Sequence, residues 1–240
     1  MKTYFRFAFA LLCSLAFFGF CPLRSQTPDI NTLVSMVDAS VAWRDQNVLG
    51  YTVTEHYSVF RGQDKSQPSA QMMVKTTYTR DHGKSYQILS ETGSQLIRNQ
   101  VLHRVLASES ELTEPQNRSQ AVITSVNYSM QQKATDKVAG QDCIVLSITP
   151  RRISQFLFTG TIWVDSHDGS IVQLEGVAGK SPSMLTGPAQ VSRSYQKIDG
   201  YPMAVRATAV SQSALLGQTT IQIEYNGYSI TQRNPAQPSH

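Results

Sequence analysis

The chain has 240 residues, 40% of them apolar and 16% charged, with a formal net charge of +4. That is room for one sizeable domain or two small ones, and a composition rich in Thr, Ser, Gln and Val suits a β-rich extracytoplasmic protein better than a helical cytosolic one. Three of the 21 basic residues (Lys2, Arg6 and Arg24) lie at the extreme N-terminus, and without them 18 face 17 acidic residues, so the charge gives no argument for a nucleic-acid partner.

The N-terminus reads as an export signal. Lys2 and Arg6 form a positive n-region, and Phe7 to Phe20 follow without a charge. That run is too short for a comfortable membrane span, which needs about 20 residues. Leu23 and Ser25 place cleavage after Ser25, so residues 1–25 are expected to be removed. Cys21 offers a lipidation site in principle, but Phe20 stands before it where a small residue is wanted. Cys143 is then the one cysteine left; it cannot staple the fold, and its apolar run reads it as a small buried residue.

The first element after the signal is a helix over 28–45. Thr27 is a candidate cap, Pro28 suits the first helical position and Asp29 suits the dipole, while Ile30, Leu33, Val34, Val37 and Val41 recur on one face. Strands follow from Tyr51, Ser69 and Ser85, the last two joined by "RDHGK" with Gly83 free to take a positive φ. A second helix is expected over 94–107, with Leu96, Leu102, Val105 and Leu106 on one side.

From Asp142 onward six strands are expected, at about 142–149, 160–165, 171–177, 189–197, 203–211 and 219–227. Short connections make them an antiparallel meander. The second and fourth connections, "DSHDGS" and "KIDGYP", carry Asp-Gly turn chemistry. The first, third and fifth carry apolar residues where a connection is normally polar. Alternation in a meander brings these three to one end, so Phe156, Leu157, Phe158, Met184, Leu185, Leu215 and Leu216 are expected to form an apolar rim. The competing reading is that such tips pack on helices and close a core. By period two, Ile144, Leu146 and Ile148 share a face, with Ile162 and Val164 beside them; this face is expected to point inward, toward a cavity suited to an acyl chain. The tail, 231–240, has two prolines and is expected to be disordered.

Catalytic and metal signatures are missing from the sequence. His56, His82, His103 and His167 lie in separate segments, and Glu55 and His56 point to opposite faces of a strand. There is no G-x-S-x-G elbow. "AGKSP" resembles the end of a phosphate loop, but Leu174 stands where its first glycine must be and Pro182 disfavours the following helix. Asp38, Asp45, Glu91 and Glu175 are left as carboxylates that folding could pair. The reading is therefore a binding protein, not an enzyme, with no cofactor and no metal. Two N-x-[ST] matches, at Asn117 and Asn127, are of a kind easily met by chance.

The stretch "VNYSMQQKATDKVAGQDCIVLSITP", with "GTIWVDSHDGSIVQLEG", "KIDGYPMAVRA" and "IEYNGYSI", resembles the periplasmic lipoprotein-sorting family with the LolA/LolB-like fold. The features that carry the resemblance are Gly140 and Pro150 around the Val145-Leu146 strand, then Gly160, Ile162, Trp163, Val164 and Asp165, then Ile171 and Glu175, then Asp199, Gly200 and Pro202. The resemblance covers about residues 28–230. It implies one α+β, mainly β domain over 26–230: an unclosed antiparallel barrel of about eleven strands with helices covering the concave face. It also implies a soluble periplasmic monomer that carries acyl chains of lipids or lipoproteins, with a membrane-anchored donor or acceptor as partner. Related modules act as envelope sensors, which is the alternative role. An arginine latches the lid in that family, and Arg44 and Arg61 are the candidates near the first strand. In a bacterial host, which the resemblance implies, the two glycosylation matches are silent.

Overall fold

The structure is a computed structural model that describes residues 28–179, 189–213 and 217–233. Ten antiparallel strands form a single sheet, and helices lie against it. In chain order the elements are α1 (Ile30–Asn47), β1 (Val48–Arg61), β2 (Ala70–Thr79), β3 (Gly83–Gly93), α2 (Gln95–Ile97), a π-helical segment (Arg98–Leu102), α3 (His103–Thr113) and α4 (Pro115–Ala121). Then follow β4 (Tyr128–Val138), β5 (Gln141–Pro150), β6 (Phe158–Asp165), β7 (Ile171–Ala178), β8 (Ala189–Ile198), β9 (Tyr201–Ser213) and β10 (Gly217–Gln232).

The sheet order is β3-β2-β1-β10-β9-β8-β7-β6-β5-β4. Strands β5 to β10 are the expected six-strand meander, β4 extends it by one strand at its free edge, and the chain's first strand closes onto its last by pairing β1 with β10. The two ends of the order, β3 and β4, do not pair, so the sheet is an open barrel. β10 runs through Gln232, two residues into the stretch read as tail, because β1 begins at Val48 and offers Gln232 a partner; the remainder of that tail, from 234, lies outside the described residues.

Two apolar clusters divide the concave side. Leu33 and Val37, one helical turn apart on α1, are wholly buried against Tyr128, Ile144, Leu146, Ile148, Leu157, Ile162 and Val164 from β4 to β6. Each such side chain contributes roughly 1.5–3 kcal/mol by leaving water. The cap of α1 is Asp29, not Thr27: its carboxylate accepts from Asn31 N and Thr32 N, which an ionised side chain does more strongly than a hydroxyl. The second cluster joins β1, β2, β9 and β10 to Ile97, Val101, Leu102, Val105 and Leu106. Here the buried stripe begins one residue later than the sequence periodicity suggests, with Ile97 inward and Leu96 half exposed. The π-helical turn explains the shift, since its wider turn moves the phase of the stripe part-way along the helix. The helix also continues past 107 to Thr113.

Gly83 holds α3 in place. It takes φ +73° in the β2–β3 turn, and a Cβ there would lie 2.7 Å from Thr113 O at the end of α3. Glycine is therefore needed twice, for its dihedral and for the close approach.

Candidate functional site

The strand faces determine what looks into the concavity. Along β1 the inward residues are Tyr51, Val53, Glu55, Tyr57 and Val59, with His56 exposed on the other side. Lys84 on β3 pairs in register with Tyr78, and Tyr78 with Tyr51, so all three reach the same side. On β8 Arg193 faces inward, opposite Ala207. Four strands separate β3 from β8 in the sheet order. Even so, Lys84 Nζ and Arg193 Nη2 both reach one carboxylate: Glu109 of α3 lies 2.9 Å from each. The sheet is curled enough to bring distant strands under one helix, and Glu109 joins them.

The neighbourhood of Glu109 is enclosed and polar. Glu55 is fully buried behind Lys84 at 3.8 Å, and Tyr57 OH donates to its other oxygen. Burial works to raise the Glu109 pKa, but the positive charges of Lys84 and Arg193 outweigh it and hold the carboxyl far below the usual carboxylate range. Burial likewise works against the Lys84 ammonium, and Glu109 outweighs it, so Lys84 stays charged well above its ordinary range. Burial pushes the phenols of Tyr51, Tyr86, Tyr225 and Tyr228 upward, so they stand as neutral hydroxyls, and Tyr51, Tyr225 and Tyr228 face a cavity as such. The backbone is tied down as well: Lys84 N donates to Thr113 Oγ1 and Ser110 Oγ donates to Lys84 O.

Two adjoining cavities lie on either side of this centre. The larger, about 380 Å³, runs from Val105 and Leu112 of α3 to Phe156, Leu157 and Phe158, over a floor of Leu174, Val191, Ala207, Ala209, Ile221 and Ile223. The smaller, about 290 Å³, is bounded by Arg44, Tyr51, Tyr78, Lys84, Tyr225 and Tyr228. Glu109, Thr113, Arg118, Ile123, Arg193 and Tyr195 belong to the walls of both.

The expected site residues fall in three groups. Phe156, Leu157 and Phe158 line the larger cavity; Leu157 is enclosed and the two phenylalanines are half-buried. The Leu157 carbonyl accepts from Gly179 N, which carries the β6–β7 pairing one step into the first and third connections. Met184, Leu185, Leu215 and Leu216 lie outside the described residues. Ile144, Leu146, Ile148, Ile162 and Val164 do face inward, but they are covered by α1 and form no part of either cavity wall. The charged centre has no signature in the sequence, because Lys84, Glu109 and Arg193 sit in three unrelated segments.

The remaining candidates are each engaged elsewhere. Asp38 accepts from Ser125 N and Oγ, Asp45 pairs with Arg80 and Arg118, Glu91 with Arg98 and His103, and Glu175 accepts from Gln173 Nε2. No two of these carboxylates meet, and no group of His, Cys, Asp and Glu among the described residues could hold a metal ion. Cys143 is buried, and burial pushes its thiol upward. Asn127 is also buried: its amide donates to the carbonyls of Ser119 and Val122, and its oxygen accepts from Arg152. It offers no surface acceptor for a glycan. Of the two arginines considered as latches, Arg61 is exposed at the end of β1, and Arg44 borders the smaller cavity.

No protein-family model matches the chain, and no curated protein matches it. Solved structures do. A LolA superfamily protein from Nitrosomonas europaea is 12% identical over 82% of this chain and 92% of its own, with a TM-score of 0.44. An outer membrane lipoprotein-sorting protein domain from Vibrio parahaemolyticus is 13% identical over 82% and 91%, with a TM-score of 0.43. A DUF1329 family protein from Desulfovibrio piger is 11% identical over 84% and 92%, also at 0.43.

Proposed function

We propose that this is an exported, periplasmic binding protein that takes an acyl chain of a lipid or lipoprotein into the larger cavity, as a carrier between membrane-bound donor and acceptor. The observation that carries the reading is the apolar lining of that cavity: aliphatic side chains of four strands below, α3 above, and Phe156 and Phe158 at one end. A cavity of about 380 Å³ falls within the range of sites that enclose small ligands. Each methylene that enters gains about 0.8 kcal/mol, so a chain of modest length binds without any specific polar contact. No helix among the described residues is long and apolar enough to cross a membrane, and the signal over 1–25 supplies the route of export.

Filling the cavity tests this. Ala209 sits on the floor, and Ala209→Trp should occupy the space a chain would use. Binding of a fluorescent fatty acid should weaken by about tenfold or more while thermal unfolding remains cooperative. Unchanged binding in a folded Ala209→Trp protein would sink the assignment of the cavity. For the rim, Phe156→Glu is the informative variant, because Leu157 is enclosed and a charge there would test the core.

A further inference from the structure

The smaller cavity carries a positive charge that the protein does not neutralise. Of its four basic residues, three are paired with a carboxylate: Lys84 and Arg193 share Glu109 at 2.9 Å each, and Arg118 reaches Asp45 at 3.5 Å. The fourth, Arg44 in the last turn of α1, has no carboxylate within 4.0 Å among the described residues. Its Nε donates to Pro202 O at 3.1 Å, its Nη2 approaches Met203 Sδ at 3.6 Å, and no described residue accepts from its Nη1. A carbonyl and a thioether, the latter a weak acceptor, orient the guanidinium without compensating it. The helix end that carries it is held in place, since Trp43 stacks on Tyr201 with ring centroids 4.5 Å apart.

A part-buried guanidinium with an open edge recognises an anion, and it does so best with two parallel hydrogen bonds to a carboxylate or phosphate. The walls shared at Ile123 and Tyr195 lead from Arg44 to the apolar floor of the larger cavity. The geometry points to a ligand that is a single-chain anionic amphiphile: its carboxylate or phosphate head meets Arg44 in the smaller cavity, and its chain lies in the larger. This rests on the acyl-binding reading above and narrows it, since an acyl chain alone would need no charge at its head.

The test uses the mature chain and displacement of the uncharged fluorophore N-phenylnaphthylamine by dodecanoate, dodecyl phosphate and dodecanol, below their micellar concentrations at low salt and about pH 8, where the dodecanoate carboxyl is fully ionised. The chain is the same in all three, so any difference belongs to the head. At least one anionic compound should compete about tenfold more strongly than dodecanol, and added salt should shrink the difference. Which anion wins tells a carboxylate head from a phosphate head. Arg44→Gln should remove the preference and Arg44→Lys should retain part of it; if Arg44→Gln does not fold, the comparison of heads on the unaltered protein still decides. Equal competition by all three compounds would overturn the anionic-head assignment and leave acyl binding standing. Failure of the fluorophore and of all three to bind would overturn both.

Discussion

Glu109 is a single carboxylate on which α3, β3 and β8 converge. Removing one partner of a buried ion pair leaves an uncompensated charge, which typically costs about 3–5 kcal/mol. Glu109→Gln would strand Arg193, whose one described carboxylate partner is Glu109. We expect it to lower stability at neutral pH by about 3 kcal/mol, read as a shift in the urea midpoint. The pH dependence has a definite sign. The folded Glu109 pKa is depressed, so its contribution is complete above the unfolded value of about 4.3 and is lost as pH falls from there toward the folded value. Lys84 has the opposite sense: its folded pKa is raised, so its contribution holds below about 10.4 and is lost as pH rises through the folded value. Between neutrality and acid, wild-type stability should therefore fall more steeply than that of Glu109→Gln. Equal slopes would mean that Glu109 is not held as the structure places it.

At the scale of elements, the question is what keeps α3 over the cavity. Three attachments coincide at the β2–β3 turn: the Lys84 ion pair, the reciprocal bonds of Lys84 with Ser110 and Thr113, and the close approach of Gly83 to Thr113 O. Gly83→Ala puts a Cβ at a positive φ, which costs about 1–2 kcal/mol, and drives it against backbone, which cannot yield as a flexible side chain would. The expected outcome is a loss of stability somewhat above that range, with amide exchange in α3 accelerated more than in β1 or β10. A Gly83→Ala protein with an unshifted urea midpoint would show that the turn and α3 do not touch. The turn itself was legible in "RDHGK", since glycine is what a left-handed turn position asks for. The helix packed against it was not, because nothing in those five residues names Thr113. The phase of the α2–α3 stripe shows the same limit. Regular periodicity places Leu96 inward, whereas a π-helical turn, which no residue pattern announced, turns Ile97 in instead.

For the whole molecule, the two helical layers have different roles. α1 is locked: Leu33 and Val37 are fully buried, and the β6–β7 turn packs Gly169 directly on Met36. α3 instead roofs a space, with cavity beneath Val105, Glu109 and Leu112. A ligand should therefore change the dynamics of the roof rather than of the floor. On adding dodecanoate, hydrogen exchange should slow over His103–Ala121 and stay unchanged in the paired centre of β1 and β10. Equal protection of α1 and α3 would argue for general stabilisation rather than a chain lying under α3.

The chain alone determined most of the elements and their faces. The six later strands, the meander, the first helix and its stripe, and the inward side of β5 and β6 follow from local spacing, because each depends on residues within one element or one turn of it. Tertiary structure decided the site. Ile144, Leu146 and Ile148 point inward as period two requires, yet whether an inward residue meets a helix or a cavity depends on where α1 lies. Lys84 and Arg193 meet Glu109 because twist accumulates across six strands until β3 and β8 face one another. Arg44 is left without a carboxylate for the same kind of reason: Asp45, its neighbour in the chain, pairs with Arg80 and Arg118 instead, and no local pattern records that outcome.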